Sequence, residues 1–183
     1  FMKAKMTKRL LSWYEEYHSR KLKQILDAIK DCAAPPTYNP KKWRGKKLNC
    51  YAYALDLDID DPKMSIWTPG QIASKNPKHQ VYTNVTEQVK KDLDVLGISY
   101  RENSDVLNPG EWKIAIYYKP SFHDWPIGFH FSRRDADGIW SEKNGWSRRG
   151  KINRYVAVDV APNFRDYGLR LESVLILSKK ANL

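Results

Sequence analysis

The chain has 183 residues, a length that suits one domain and leaves room at most for a small second lobe. With 42% hydrophobic and 13% aromatic residues it can build a core, which excludes a disordered chain, and no apolar run approaches the roughly 20 residues of a membrane-spanning helix. The formal charge of +11 favours acidic partners (nucleic acid, anionic lipid, a wall polymer or an acidic protein face) without choosing among them.

Phe1 to Lys8 is basic but lacks the apolar stretch and cleavage site of a signal peptide. Residues 3–31 read as a helix, because Met6, Leu10, Trp13, Tyr14 and Tyr17, then Leu22, Ile25, Leu26 and Ile29, recur at spacings of three and four. Its other face is rich in lysine and arginine. Such a helix packs on a domain, or alternatively meets a membrane surface or a partner. Pro35 and Pro36 end it, so residues 1–36 are expected to form a basic N-terminal helix and residues 37–183 the main domain. Residues 37–48 read as a polar loop. Asn49 to Leu55 then starts a short helix, and the acidic run Asp56 to Asp61 reads as a solvated turn. That run lacks the glycine and glutamate spacing of a calcium loop.

Residues 62–83 read as irregular. Asn84 to Leu96 reads as a helix, with Asn84 and Glu87 as a capping box and Gly97 as its stop. The remainder reads as strands: Ile98–Arg101, Trp112–Tyr118, Ile127–Arg133, Ile139–Lys143, Tyr155–Val160 and Leu169–Ser178. Helices precede strands, so the expected class is α+β, with N-terminal helices packed on a mainly antiparallel sheet.

Two cysteines, Cys32 and Cys50, are too few for a disulfide framework or a Cys-rich zinc site, and the histidines have no metal-ligand spacing. No metal or cofactor is therefore expected. Cys50 lies where a loop becomes a helix, where unpaired N–H groups favour negative charge, whereas Cys32 lies at the opposite end of a helix. Cys50 is thus the candidate nucleophile. Of His18, His79, His123 and His130, only His130 lies inside a strand, the more rigid platform for a base. Alternation turns it away from Phe129 and Phe131. A three-residue loop, Ala136-Asp137-Gly138, pairs Asp135 with Ile139 and sets His130 opposite Asn144, the first candidate for orienting the imidazole. Glu142, the diagonal neighbour on the same face, is the second.

The order Cys50, His130, Asn144 resembles that of papain-like cysteine peptidases, in which a Cys opens a helix and a His and an Asn sit on successive strands. Lys143 to Trp146, KNGW, is similar to the KNSW of papain, and NCYAYAL is similar to the nucleophile helix of diverged bacterial, phage and viral members. The resemblance spans residues 43–55 and 127–146 and is closest to the compact NlpC/P60 and CHAP-like hydrolases. It implies a papain-like fold and hydrolysis of an amide through a thioester. Peptidase or peptidoglycan amidase activity ranks first and a glutamine-deamidase toxin second. The substrate would be a peptide, protein or wall polymer of acidic character, and the setting that of a secreted or translocated bacterial effector. Papain's glutamine before the cysteine has no counterpart in RGKKLN, so the oxyanion donors fall to the Cys50 backbone N–H and the side chain of Asn49 or Lys47, with Gln71 more remote. Trp43, Trp67, Trp125, Trp140 and Trp146 could line a groove. The rival reading is a non-enzymatic basic module that binds nucleic acid or anionic lipid.

Overall fold

The computed structural model describes residues 16, 17, 19, 20, 22–24, 26, 27, 35–46, 48–58, 68–76, 79–81, 84–102, 106–120, 128–144, 151–155 and 160–179. The chain folds as α+β. Its helices are α1 (Pro40–Trp43), α2 (Cys50–Ala54), α3 (Gln71–Ser74) and α4 (Val85–Leu96). The strands are β1 (Ile98–Glu102), β2 (Glu111–Lys119), β3 (Gly128–Arg134), β4 (Trp140–Lys143), β5 (Ile152–Tyr155) and β6 (Arg170–Lys179). They form one six-stranded sheet of order β1-β6-β2-β3-β4-β5, and each adjacent pair is antiparallel. The described residues between 16 and 27 are helical, and Leu22 and Leu26 pack on the core. The rest of the expected first helix, Cys32 included, lies outside the described residues.

Helix α4 forms as its sequence dictates. Asn84 caps it by accepting from the Glu87 N–H at 3.2 Å, and Gly97, at φ +67, closes it in the left-handed conformation. Val85, Val89, Leu93 and Leu96 bury one face against the sheet. Helix α2 is too short to stand alone. Its hold on the domain is tertiary: the Trp112 indole donates to Ala54 O at 3.2 Å, Arg133 donates to Tyr53 O at 2.8 Å, and the Tyr51 and Tyr53 hydroxyls bond Asp92 (2.9 Å) and Ser141 (2.7 Å). The β3 face that meets this helix carries Phe131, whose ring sits 4.8 Å from that of Tyr51.

Four sequence expectations need correction. The loop 37–48 contains α1, because Pro40 suits a first helical position and Asn39 caps it, accepting from Lys42 N; Trp43 is thereby buried. The acidic run is not all solvated: Asp56 is buried and ion-paired to Arg133 and Lys42. The irregular stretch contains α3. The fifth strand occupies 152–155 rather than starting at Tyr155, and residues 156–159 lie outside the described residues.

Asp92 joins α4 to the loop before α3 and to α2, accepting from Gly70 N and Ala73 N at 2.7 Å each and from the Tyr51 hydroxyl. Burial pushes its carboxyl up to about 6, against those hydrogen bonds, which pull it down. A carboxyl raised in the folded state binds a proton more tightly folded than unfolded. Its contribution is full below the unfolded value of about 3.8 and is lost as pH rises through about 6. Urea unfolding of Asp92→Asn beside the wild type should therefore show the wild type losing about 2 kcal/mol more than the variant between pH 4 and pH 7. Parallel pH profiles would refute this.

Candidate active site

The hairpin that carries the candidate base forms with the register read from the sequence. Asp135 N donates to Ile139 O at 3.0 Å, Gly138 takes φ +82, and Arg133 pairs with Ser141. The β3–β4 ladder, however, consists of two pairs, at Arg133 and Arg134, and β4 continues instead in register with β5. His130 lies three residues past the last pair. The position opposite it, Asn144, therefore follows the end of β4; its side chain is exposed, and its backbone N–H donates to Lys151 O at 2.8 Å.

The group on the His130 imidazole is Glu142, whose Oε2 meets Nε2. Among the described residues no hydrogen bond joins Asn144 to His130, which corrects the first choice of orienting residue in favour of the second. The physical reason is that the strands part before position 130, so the diagonal neighbour reaches the ring. Glu142 is itself held from behind. It opposes Asn153 on β5, which donates to Oε1 at 2.9 Å, and the Tyr155 hydroxyl, two residues on and so on the same face, donates to the same oxygen. Asn153 and Tyr155 were missed because the fifth strand was placed too late; with β5 at 152–155, alternation alone would have paired both with Glu142.

Cys50 occupies the first position of α2, and its side chain lies close enough to the His130 ring to act on its proton. Glu142 engages Nε2, so Nδ1 is the ring nitrogen left for a bond to the thiol. Burial by itself lowers the His130 pKa, but the hydrogen bonds and charges of Cys50 and Glu142 outweigh it and raise the ring to about 10. In the partner carboxyl burial again acts first, upward, and the bonds from His130, Tyr155 and Asn153 reverse it, so Glu142 lies below the usual range. A protonated ring beside the Glu142 carboxylate is the arrangement both directions favour.

Asn49 caps α2: its Oδ1 accepts from Ala52 N at 3.1 Å. The Cys50 N–H, at the first helical turn, has no intrahelical acceptor. Gln71 is committed to its own turn, its Oε1 accepting from Thr68 N at 2.9 Å and Thr68 Oγ1 at 3.1 Å. Lys47, His18 and His123 lie outside the described residues. His79 lies in the loop after α3, with its Nε2 buried and unpartnered among the described residues.

Three further residues surround the dyad. Phe164 meets the His130 ring edge-to-face at 5.0 Å, and Tyr117, paired with His130 across β2–β3, lies at 6.3 Å. Lys143 is fully buried; burial lowers its pKa while the neighbouring Cys50 charge opposes that shift. The KNGW motif contained Lys143, but alternation along β4 was applied to Glu142 and not to its neighbour on the other face. Of the groove tryptophans, Trp43 and Trp140 are core residues, 0% and 1% exposed, and line nothing; Trp67, Trp125 and Trp146 lie outside the described residues. Among the described residues no group of three or more His, Cys, Asp or Glu could hold a metal, and no helix is long and apolar enough to cross a membrane.

No curated protein and no solved structure matches the chain. The sequence model of one family, described as Domain of unknown function (DUF7689), matches residues 42–169, a stretch that holds Cys50, His130, Glu142 and their supports. The match covers more than half of the chain, and the protein belongs to that family.

Proposed function

We propose that the protein is a papain-like cysteine hydrolase that cleaves amide bonds, with Cys50 as nucleophile, His130 as acid and base, and Glu142 as the orienting group. The observation that carries this reading is the His130 imidazole held between the Cys50 side chain and the Glu142 carboxylate. A helix that opens with the cysteine and packs on an antiparallel sheet bearing the histidine supports the papain-like assignment. The orienting carboxylate in place of papain's asparagine is this chain's departure.

The Cys50 thiolate adds to the amide carbonyl carbon, and the oxyanion takes the Cys50 backbone N–H, with the Asn49 amide as second donor. The C–N bond then breaks as His130 passes its proton to the departing amine, which leaves a thioester on Cys50. His130 next takes a proton from water, the hydroxide adds to the thioester, and the C–S bond breaks to release the acid. Glu142 keeps its charge throughout and stabilises the imidazolium, as Asn153 and Tyr155 hold it in place. A peptide or peptidoglycan amide is the favoured substrate, consistent with the basic surface.

The test is iodoacetamide labelling of both cysteines from pH 4 to pH 9, resolved by peptide mass. Cys50 is expected to label at least about tenfold faster than Cys32 below pH 7, where an unassisted thiol is almost wholly protonated. Slow labelling of both, rising together above pH 8, would defeat the hydrolase reading.

A further inference from the structure

Behind two of the rings that neighbour the His130 imidazole, Phe164 and Tyr117, lies a cavity of about 860 Å³. Phe164 and Tyr117 form the wall it shares with the imidazole, and both touch that ring directly. Its rim is built from the segment before β6 and from β6 itself, including Val160, Arg165, Arg170 and Leu171.

Two properties set this rim apart. The first is exposed apolar surface: Val160 is 71% and Leu171 52% exposed, and Tyr167, in the adjoining turn, is 72% exposed. These are three of the five large apolar side chains that the described residues leave in water, and they cluster around one opening. Such clustering marks a binding surface rather than scattered exposure. The second is uncompensated positive charge. Arg165 and Arg170 line the cavity, no acidic residue does, and neither arginine forms an ion pair with the described residues. The Lys119 side chain adds a third cation. Its Nζ lies 3.8 Å from where a Gly168 Cβ would sit, and Gly168 lines the cavity. Glycine at φ +73 ends the 3-10 turn Arg165–Tyr167 and keeps that approach open.

We propose that this cavity is a recognition subsite of the Cys50–His130 site and takes an acidic stretch of a polypeptide substrate, with carboxylates toward Arg165, Arg170 and Lys119 and an aliphatic side chain against Val160 and Leu171. The proposal rests on the hydrolase reading for the word substrate; the charge and shape of the ligand rest on the cavity alone. Bidentate guanidinium groups suit carboxylates, and a cavity one aromatic ring away from the imidazole can hold a residue close to the bond being cut. Of the three aromatic residues that line it, Phe164 and Tyr117 are buried and edge-packed and only Tyr118 is half-buried, so the wall offers no run of exposed rings of the kind single-stranded nucleic acid stacks on.

The experiment uses Cys50→Ala protein, which binds without turnover, and a fluorescein-labelled peptide of alternating Glu and Leu, read by fluorescence anisotropy in about 0.15 M salt. The Glu–Leu peptide should bind at least about tenfold more tightly than its Gln–Leu counterpart. In the same background Arg165→Gln with Arg170→Gln should weaken it about tenfold, and Leu171→Glu comparably, while Lys75→Gln with Lys91→Gln, exposed cations elsewhere, should change it less than about twofold. Equal binding of the two peptides would overturn the proposal. So would equal losses from the arginine and lysine pairs, since the attraction would then be that of the whole basic surface, and so would tighter binding of a single-stranded oligonucleotide. Labelling of Cys50 in the wild type reports on the dyad separately. Fast labelling with no peptide selectivity removes the subsite and keeps the hydrolase; slow labelling with selective binding does the reverse.

Discussion

Replacing His130 with alanine is expected to slow alkylation of Cys50 at pH 6 by about a hundredfold, the scale on which a positioned acid–base partner acts. The expectation follows from the placement of the ring, which bonds Glu142 and has the Cys50 side chain as its other polar neighbour. Glu142→Gln should slow the reaction by about tenfold for each unit by which the imidazolium loses stabilisation. It keeps the shape of the side chain but removes the charge that holds the ring protonated. Asn144→Ala should change the rate less than about twofold, because that side chain is exposed beyond the end of β4 and plays no part in holding the ring. A nitrogen-15 NMR titration should find the His130 ring still protonated at pH 8 in the wild type and neutral there in Glu142→Gln. If Asn144→Ala proves as slow as Glu142→Gln, or if His130→Ala labels at the wild-type rate, the assignment of roles is wrong.

Arg133→Met is expected to lower stability by about 3–5 kcal/mol, the cost of stripping a buried charge pair of one member. The Arg133 side chain is fully buried and donates to Asp135 Oδ1 at 2.8 Å, Asp56 Oδ1 at 3.1 Å, Tyr53 O at 2.8 Å and Thr37 O at 3.1 Å, with its guanidinium 4.0 Å from the centre of the Tyr53 ring. Methionine fills part of the space and satisfies none of these acceptors. Burial pushes the Asp135 carboxyl up, and Arg133 is the largest influence pulling it back. Without Arg133 that carboxyl rises further and is more readily protonated as the pH falls. The loss should accordingly be smaller at pH 4 than at pH 7, and adding Asp56→Asn and Asp135→Asn should recover much of it. Urea unfolding of the three proteins at both pH values measures this; an Arg133→Met midpoint close to the wild type would show that water reaches the cluster and screens it. Because Arg133 also holds the C-terminal half of α2, the variant should label more slowly at Cys50 even at temperatures where it remains folded.

The strands and the long helix were legible because local periodicity determines them. Val85, Val89, Leu93 and Leu96 mark a helix face, and alternation about Phe129 and Phe131 marks β3 and fixes which way His130 turns. The start of a helix at Cys50 was likewise legible, and the Ala136–Gly138 loop gave the hairpin register to the residue. Register, however, says which residues are opposed only while the ladder lasts. β3 and β4 part after two pairs while β4 continues in register with β5, and nothing in the hairpin sequence marks where the ladder ends. For that reason Asn144 looked like the partner of the imidazole, whereas Glu142 is the residue bonded to it. The buried ionic cluster around Arg133 was hidden for a similar reason: Asp56 and Arg133 are distant in sequence and each, read alone, is a surface residue. Tertiary neighbours decide burial for charged side chains, whereas apolar ones declare it by pattern.

The strand order also constrains when the protein can work. β6 follows the other described strands in sequence, yet it lies inside the sheet between β1 and β2, and its first residues help to frame the cavity near His130. During synthesis β1 therefore waits for residues 175–179 before it has a neighbour, and β2 gains its second edge only then. Cys50 and His130 are both translated long before that point. A growing chain thus carries the two residues without the sheet that aligns them, and their juxtaposition should arrive abruptly, with the closing of the sheet, rather than accumulate as the residues of the site emerge.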